Sequence, residues 1–259
     1  MPEGDTIHYA ANRIRPVLEG VVPDELRTPH PRFGRDRWPA RLADRAVTGV
    51  DAHGKHLFLR FDGDLVIHSH LRMTGSWGVH PVGQRWKRAP RRAWLVVRAG
   101  DVEVVQFDGP ILELMTAARA RGDRRLALLG PDILAPDAFD ERRFLRRLRE
   151  DDPTRTIGDA LLDQRTVAGL GTVWRTEACW AARIDPHRTT ASVPDDLVLE
   201  GVRDVRPRMQ LSARTGTEAR ERSCYGLRGR PCSRCGTKIR SGHLGDDNRP
   251  VFWCPGCQT

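Results

Sequence analysis

Four cysteines near the C-terminus constrain the fold of this chain more than any other feature. Cys232 and Cys235 form one C-x-x-C pair, Cys254 and Cys257 form a second, and 18 residues separate the two pairs. At this spacing each C-x-x-C pair forms a β-turn, and the two turns bring four thiolates into the tetrahedron that Zn²⁺ prefers. Four sulfur ligands leave no position for a reactive water. The spacing therefore predicts one structural Zn²⁺ per chain, with folding of about the last 28 residues dependent on the metal. The alternative interpretation is a set of four free or redox-active thiols.

The charge of the chain indicates what it binds. Arginine and lysine together number 43 against 34 acidic residues, a formal net charge of +9. Such a surplus favours a polyanionic partner, and nucleic acid is the first candidate. The last 59 residues hold 12 of these cations and only 5 acidic residues, so most of the surplus lies in the part of the chain that carries the cysteine pairs.

Length and the N-terminus limit the broad class of protein. With 259 residues the chain is long enough for about two domains. No run approaches the ~18 apolar residues of a membrane span, and Glu3 and Asp5 stand where a secretion signal is basic and then apolar. We therefore expect a cytoplasmic protein without membrane contact, whose paired cysteines bind metal. Cys179 and Cys224 lie outside the two pairs and are not expected to bind the metal.

The apolar pattern changes along the chain from helical to β and back to helical. Spacings of three and four residues predict a first helix over residues 5–18, strained or ended near Pro16. Short apolar runs around glycine-containing turns then predict strands at 56–61, 65–70, 94–98 and 102–107. Residues 109–140 are interpreted as a connection, and helices are predicted at 142–148, 157–162 and 172–182.

The first residues of the chain are a candidate for covalent chemistry. A small residue after the initiator methionine permits removal of Met1, which exposes a secondary amine at Pro2 beside the carboxylate of Glu3. Such an amine condenses with an aldehyde-level carbon to an iminium ion, an electron sink for elimination. The adjacent carboxylate can donate and remove protons. Met-Pro-Glu alone is an ordinary sequence, so the interpretation depends on the other motifs.

Those motifs follow in a fixed order: Met1-Pro2-Glu3-Gly4, Gly54-Lys55, Leu162-Asp163-Gln164 before Ala168-Gly169-Leu170-Gly171, and Tyr225-Gly226 before the cysteines. In order and approximate spacing they resemble the formamidopyrimidine-DNA glycosylase and endonuclease VIII family over nearly the whole chain, most closely an endonuclease VIII-type member. The resemblance implies an α+β fold with an N-terminal β-sandwich flanked by helices, a helix-two-turn-helix domain and a zinc ribbon. It also implies a monomer that binds double-stranded DNA, removes oxidised bases and cleaves the strand at abasic sites.

The resemblance assigns roles to individual residues. Pro2 is the expected nucleophile, Glu3 the acid/base residue, and Lys55 the hairpin lysine that contacts the DNA backbone and supports base removal. Arg249 matches the ribbon arginine that holds phosphates, and Met73 matches a side chain that fills the gap left by the extruded base. Further DNA contacts are expected from the helix-two-turn-helix motif, at Gln164, Gly171 and Thr172.

The domain boundaries expected from these motifs are a catalytic β-sandwich at 1–118, a linker at 119–140, a helix-two-turn-helix domain at 141–228 and a zinc ribbon at 229–259. The chain departs from the family at Asp5 and Thr6, at Thr172, and at Phe107-Asp108-Gly109-Pro110, which lacks the arginine and phenylalanine inserted beside the methionine in other members. The departures at Thr6 and Thr172 keep a second hypothesis open, a catalytically impaired zinc-ribbon protein that binds damaged or bent DNA. A regulator that binds RNA is a third.

The preferred lesion is the last expectation from the sequence. The Met1-Pro2-Glu3-Gly4 opening and the short segment Leu211–Cys224 favour oxidised pyrimidines over 8-oxoguanine, because a short loop leaves the base pocket open. Met73 favours the opposite preference, since a methionine at this position resembles the family members that act on 8-oxoguanine. We expect strand cleavage by β,δ-elimination.

Overall fold

The structure is a computed structural model that describes residues 2–33, 36–216 and 222–259. It divides into two compact units, one of Thr6–Ala127 with Pro2 and one of Leu128–Thr259 with Glu3–Asp5. The residues next to Pro2 therefore belong with the C-terminal half of the chain. The boundaries of the three predicted domains and the linker stay a prediction. No described helix combines the length and the apolar character needed to cross a membrane.

The first unit is the β-sandwich that the sequence predicted. Its strands are β1 (Glu25–Arg27), β2 (Val47–His53), β3 (His56–Phe61), β4 (Leu65–His70), β5 (Ser76–Pro81), β6 (Ala93–Ala99), β7 (Val102–Phe107) and β8 (Ile111–Thr116). They form two antiparallel sheets, ordered β2-β3-β4-β8 and β1-β6-β7-β5. Alternate residues of both sheets share one core, as Leu57 and Ile67 do with Leu95 and Val104.

The helices of this unit are α1 (Gly4–Leu18), α2 (Trp38–Leu42), α3 (Ala117–Gly122) and α4 (Arg124–Ala127). Helix α1 continues two residues beyond Pro16 and buries Ile14 and Leu18 in the sandwich core. The interpretation of residues 109–140 as a connection is wrong for the first part of that range. Strand β8 pairs with β4 along its whole length, from Leu65 opposite Thr116 to His70 opposite Ile111.

The second unit is helical and ends in a two-stranded hairpin. Its elements are α5 (Glu141–Arg149), α6 (Ile157–Ala160), α7 (Thr172–Ala181), α8 (Asp195–Thr215), β9 (Arg240–Leu244) and β10 (Arg249–Trp253). Helix α8 was not predicted. It includes the start of the segment Leu211–Cys224, which was interpreted from the sequence as a loop. Residues 217–221 of that segment lie outside the described residues.

Candidate active site and metal centre

The carboxylate of Glu3 lies at the N-terminus of α7. Its Oε2 accepts hydrogen bonds from the backbone N–H groups of Gly171, at 3.1 Å, and Trp174, at 3.3 Å, and its Oε1 accepts from Val173 at 2.9 Å. The Glu3 side chain is fully buried. The first N–H groups of a helix have no partner within the helix, and the helix dipole favours negative charge there. Glu3 therefore caps α7 from a position 168 residues away in the sequence.

Two glycines make room for this contact. A Cβ on Gly171 would lie 2.3 Å from the carboxyl carbon of Glu3, and a Cβ on Gly4 would lie 2.8 Å from the Cα of Gly169. The N–H of Gly4 donates to the Gly169 carbonyl at 2.9 Å. Gly169 itself has a φ of +106°, a conformation that favours glycine. The two glycine-containing motifs found separately in the sequence thus meet in the folded chain.

Gln164 fixes the turn that precedes α7. Its amide nitrogen donates to the carbonyls of Leu162 and Leu170 at 2.8 and 2.9 Å, and its amide oxygen accepts from the N–H of Gly169 at 3.0 Å. The amide is therefore engaged within the loop. Thr172, the first residue of α7, is buried. The DNA contacts predicted for Gln164, Gly171 and Thr172 remain predictions.

In the first unit, Lys55 lies in the two-residue turn that joins β2 to β3. His53 pairs with His56 across this hairpin, and Gly54 at the first turn position has a φ of +55°. A glycine with positive φ at this position suits the right-handed twist of the two strands. Lys55 is half-buried and is one of the charges that lower the pKa of His70. The hairpin thus holds the lysine next to the end of β4.

Three histidines, His56, His68 and His70, lie on strands β3 and β4 next to the hairpin of Lys55. His56 Nδ1 lies 2.8 Å from His68 Nε2, and His68 Nδ1 lies 3.6 Å from a carboxylate oxygen of Glu113. Burial lowers the pKa of His56 to about 2, and burial, together with Arg72 and Lys55, lowers the pKa of His70 to about 4. These rings are therefore neutral near pH 7. His70 Nδ1 accepts from the N–H of Arg72 at 3.2 Å, which leaves its proton on Nε2.

Met73 is presented by the turn after β4. The side chain is 62% exposed, whereas Leu71, two residues earlier, is buried in the sandwich core. The N–H of Gly75 closes the turn on the Leu71 carbonyl at 2.9 Å. An exposed methionine on a closed turn is available to a partner, as the sequence interpretation requires. The role predicted for Met73 beside the extruded base stays a prediction.

The four paired cysteines converge at the C-terminal hairpin. Their sulfur atoms all lie within 4.8 Å of one another, with Cys235 Sγ 3.4 Å from Cys254 Sγ and Cys232 Sγ 3.9 Å from Cys257 Sγ. A tetrahedral zinc site with Zn–S bonds of about 2.3 Å has sulfur–sulfur edges of about 3.8 Å, so the sulfur positions fit a metal ion. These distances are far too long for disulfides, whose S–S bonds are about 2.05 Å.

The other two cysteines lie outside this group. Both Cys179 and Cys224 are fully buried, and burial raises the pKa of the Cys179 thiol to about 11. Around the cluster, the indole N–H of Trp180 points to Cys232 Sγ at 3.4 Å and the guanidinium of Arg234 stacks on the Trp180 ring at 4.0 Å. Such outer contacts orient the ligands of a metal site.

Arg249 begins strand β10 and is partly exposed. Its guanidinium lies 3.4 Å from Asp247, with 41% of the arginine side chain accessible. The next residue along, Pro250, accepts a hydrogen bond from Arg175 Nη2 at 2.8 Å, and Nη1 of the same arginine donates to the Gly158 carbonyl at 2.8 Å. The fully buried Arg175 thus ties α7 to the strand that carries Arg249.

Glu177 is a candidate site residue that the sequence analysis missed. Its buried carboxylate accepts from the backbone N–H groups of Ser223, Cys224 and Tyr225 at 2.9, 3.1 and 2.9 Å. It fixes the Tyr225-Gly226 motif and the entry to the cysteine-rich hairpin. The available signal in the sequence was a pair of charged residues, Arg175 and Glu177, in the otherwise uncharged stretch Thr172–Ala181. The structure buries this helix from Thr172 to Cys179.

Comparison with known proteins agrees with this arrangement. Residues 1–110 match the formamidopyrimidine-DNA glycosylase N-terminal domain, and residues 129–220 match the H2TH domain of the same enzymes. A probable endonuclease 8 2 of Streptomyces coelicolor is 38% identical over 100% of this chain and 94% of its own length. The DNA-(apurinic or apyrimidinic site) lyase Nei2 of Mycolicibacterium smegmatis is 36% identical over 100% of this chain and 99% of its own.

Among solved structures, the formamidopyrimidine-DNA glycosylase of Lactococcus lactis, bound to DNA with an abasic site, superposes with a TM-score of 0.84. The match covers 100% of both chains at 24% identity, so it shows a shared fold. The family models and the full-length relatives carry the assignment further. This chain belongs to the formamidopyrimidine-DNA glycosylase and endonuclease 8 family.

Proposed function

We propose that the chain is a DNA glycosylase with abasic-site lyase activity that acts on double-stranded DNA in base excision repair. Full-length relatives with endonuclease 8 and abasic-site lyase names support this activity. The observation that carries the proposal is the buried carboxylate of Glu3, oriented by three backbone N–H groups and adjacent in sequence to Pro2. A proton-transfer group held in this way needs no reorganisation when the reaction begins.

The proposed chemistry starts at Pro2 once Met1 has been removed. The secondary amine attacks C1′ of the damaged nucleotide, and the base leaves with the electron pair of the glycosidic bond. Glu3 takes up the proton that the Pro2 nitrogen loses after attack and donates it to the ring oxygen O4′ as the sugar ring opens, which gives an iminium ion between Pro2 and C1′. The iminium acidifies the C2′ proton, so the 3′ phosphate leaves by β-elimination and the 5′ phosphate by δ-elimination. Water then hydrolyses the remaining iminium and restores the amine.

The other predicted site residues position the DNA in this proposal. Lys55 on its hairpin turn and Arg249 on β10 contact backbone phosphates of the damaged strand. Met73 fills the space left by the extruded nucleotide. Thr172 contacts a phosphate at the start of α7, whereas Gly171, whose N–H donates to Glu3, and Gln164 act mainly by holding the turn before the helix.

We further infer that the four-cysteine cluster holds one structural Zn²⁺ per chain. Cys232, Cys235, Cys254 and Cys257 provide four sulfur ligands at distances that suit a tetrahedral ion. The metal supplies folding free energy and takes no part in the reaction, because four protein ligands leave no position for water. Because the relatives named above are bacterial, we place the activity with the chromosome in the bacterial cytoplasm.

The proposed substrates are oxidised pyrimidines in preference to 8-oxoguanine. A short connection after α8 supports this choice, since helix α8 extends to Thr215 and leaves few residues before Ser223. Few residues there offer few hydrogen bonds to one base edge, and lesions that stack poorly are then extruded at lower cost. Single-turnover excision on matched duplexes with 5-hydroxyuracil or 8-oxoguanine tests it, and equal or faster release of 8-oxoguanine contradicts it.

Borohydride trapping on duplexes with an abasic site or an oxidised pyrimidine tests the activity itself. The wild-type chain is expected to form a covalent adduct, whereas Pro2→Gly and a form that retains Met1 are expected to form none, because an acylated nitrogen has no usable lone pair. Binding of the same duplex without any adduct favours the catalytically impaired DNA-binding protein. An adduct on Lys55 refutes the role of Pro2.

A further inference from the structure

The segment Val82–Arg92 crosses the outer face of one sheet of the sandwich. Strands β5 and β6 both run antiparallel to β7, which lies between them. Strand β5 ends at Pro81 opposite Val102, and β6 begins at Ala93 opposite Phe107. The segment between them must therefore travel the length of β7, from the Val102 end to the Phe107 end. We call residues 82–92 the crossover segment.

A tryptophan fixes the crossover segment to the sheet. The ring of Trp86 packs edge-on against Phe107 with centroids 5.6 Å apart, and its indole N–H donates to Glu103 Oε2 at 3.2 Å. The other oxygen of this buried carboxylate accepts from Arg27 at 2.9 Å. The segment is thus anchored by an apolar contact and a hydrogen bond, and its cationic side chains remain on the outside.

The crossover segment is strongly basic and contains no acidic residue. Its five cations are Arg85, Lys87, Arg88, Arg91 and Arg92. Within the described part of the chain, Arg85, Lys87 and Arg91 take part in no ion pair, and all three are exposed. Beside them lies an open groove of about 870 Å³ lined by Arg27, Arg85, Lys87 and Arg88. Arg27 and Arg88 are paired with Glu103 and Asp108, so Arg85 and Lys87 are the cations at this groove that an added polyanion would complement.

The end of the crossover segment lies beside Met73. Arg88 Nη1 donates to the carbonyl of Thr74, the residue after Met73, at 2.9 Å, and to Asp108 at 3.0 Å. Arg92 shares the same Asp108 carboxylate at 2.7 Å. The Thr74 hydroxyl donates to the Asp108 carbonyl at 3.2 Å. These contacts join the turn of Met73, the turn after β7 and the crossover segment into one unit.

Met73 therefore has Lys55 toward one side and the basic crossover segment toward the other. On one side His70, at the end of β4, pairs with His56, the residue after Lys55. On the other side is the crossover segment. A side chain that fills the space of an extruded nucleotide stands between the two strands of the duplex. If the damaged strand follows Lys55, the complementary strand lies toward the crossover segment.

We propose that the crossover segment binds phosphates of the strand complementary to the damaged one, through Arg85, Lys87 and Arg91. This rests on the proposed function and adds a second strand contact to it. Arg88 and Arg92 are held by Asp108 and position the segment against the turn of Met73.

The experiment compares two substrates and two triple variants. One substrate is a duplex with a tetrahydrofuran abasic analogue, and the other is the same strand unpaired. The test variant is Arg85→Ala, Lys87→Ala and Arg91→Ala. The control, Arg41→Ala, Arg119→Ala and Arg121→Ala, removes the same charge from exposed side chains. Arg119 and Arg121 lie on α3, which follows Thr116, and Thr116 pairs with Leu65 at the end of β4 remote from Met73.

The test variant is expected to lose at least about tenfold in duplex affinity at moderate salt, and its log–log salt slope is expected to fall by about two to three units, near 0.9 per lost phosphate contact. The affinity of the test variant for the unpaired strand is expected to stay within about twofold of wild type, because the phosphates of the damaged strand contact other groups. The control variant is expected to bind both substrates within about twofold of wild type. Equal losses on both substrates, an unchanged duplex slope, or the same loss in the control variant each overturn the proposal. Borohydride trapping of the unpaired strand with a true abasic site reports separately on the proposed activity, and the test variant is expected to trap it at the wild-type level.

Discussion

Replacement of Glu3 by glutamine tests the most unusual contact of this structure. The carboxylate accepts three backbone hydrogen bonds at the start of α7, two on Oε2 and one on Oε1. Glutamine keeps one oxygen, which can serve Gly171 and Trp174, but its NH₂ group then faces the N–H of Val173. A buried donor without a partner costs about 1–3 kcal/mol, and the loss of negative charge at a helix N-terminus costs about 1 kcal/mol more.

Glu3→Gln is therefore expected to lower the free energy of unfolding by about 2–4 kcal/mol. The measurement is urea unfolding followed by circular dichroism at 222 nm, at one pH and salt concentration. Glu19→Gln is the matched control, because its exposed carboxylate pairs with Arg15 one turn earlier and such pairs contribute less than about 0.5 kcal/mol. A loss for Glu3→Gln no larger than that of the control refutes the capping role.

Three further predictions concern other parts of the chain. Cys232→Ser is expected to lower the zinc content of freshly purified protein, measured by atomic emission, whereas Cys179→Ser leaves it unchanged; zinc retained in the first variant contradicts the ligand set. Because the pKa of His56 is lowered to about 2, the unfolded chain binds a proton below pH 6.5 that the folded chain excludes, so stability falls by about 2 kcal/mol for this ring between pH 7 and pH 5. His56→Gln is expected to flatten that fall in urea midpoints, and an unchanged profile is the contrary result. Arg249→Ala is expected to reduce the log–log salt slope for duplex binding by about one unit, and an unchanged slope means that this guanidinium does not reach phosphate.

The strands were predictable where a local pattern decides them. Strands β3 and β4 begin and end as predicted, because apolar residues flank a turn at Asp62-Gly63-Asp64. Helix α8 was missed because Gly201 and Pro207 interrupt its helical pattern. The structure explains the glycine: a Cβ there would lie 2.6 Å from the carbonyl of Ala178, so α7 and α8 approach too closely for any other residue.

The sequence predicts candidate site residues but not how they are arranged. Pro2, Glu3 and Lys55 stand out only because several motifs occur together in one order. The contacts of Glu177 with Ser223 and Tyr225 join residues more than forty positions apart. No periodicity encodes such a contact, since it depends on a buried charge finding backbone donors after the chain has folded.

The capping of α7 explains why the start of the chain is so restricted. Gly171, at the N-cap position, has no side chain that could bond the free N–H groups of the helix. Glu3 supplies the missing acceptor, and the packing of its carboxylate forbids any side chain at Gly171. The group proposed to move protons is therefore the same group that completes the helix. Substitution of Glu3 changes stability and chemistry together, so loss of activity in such a variant can be assigned to proton transfer only after its folding has been measured.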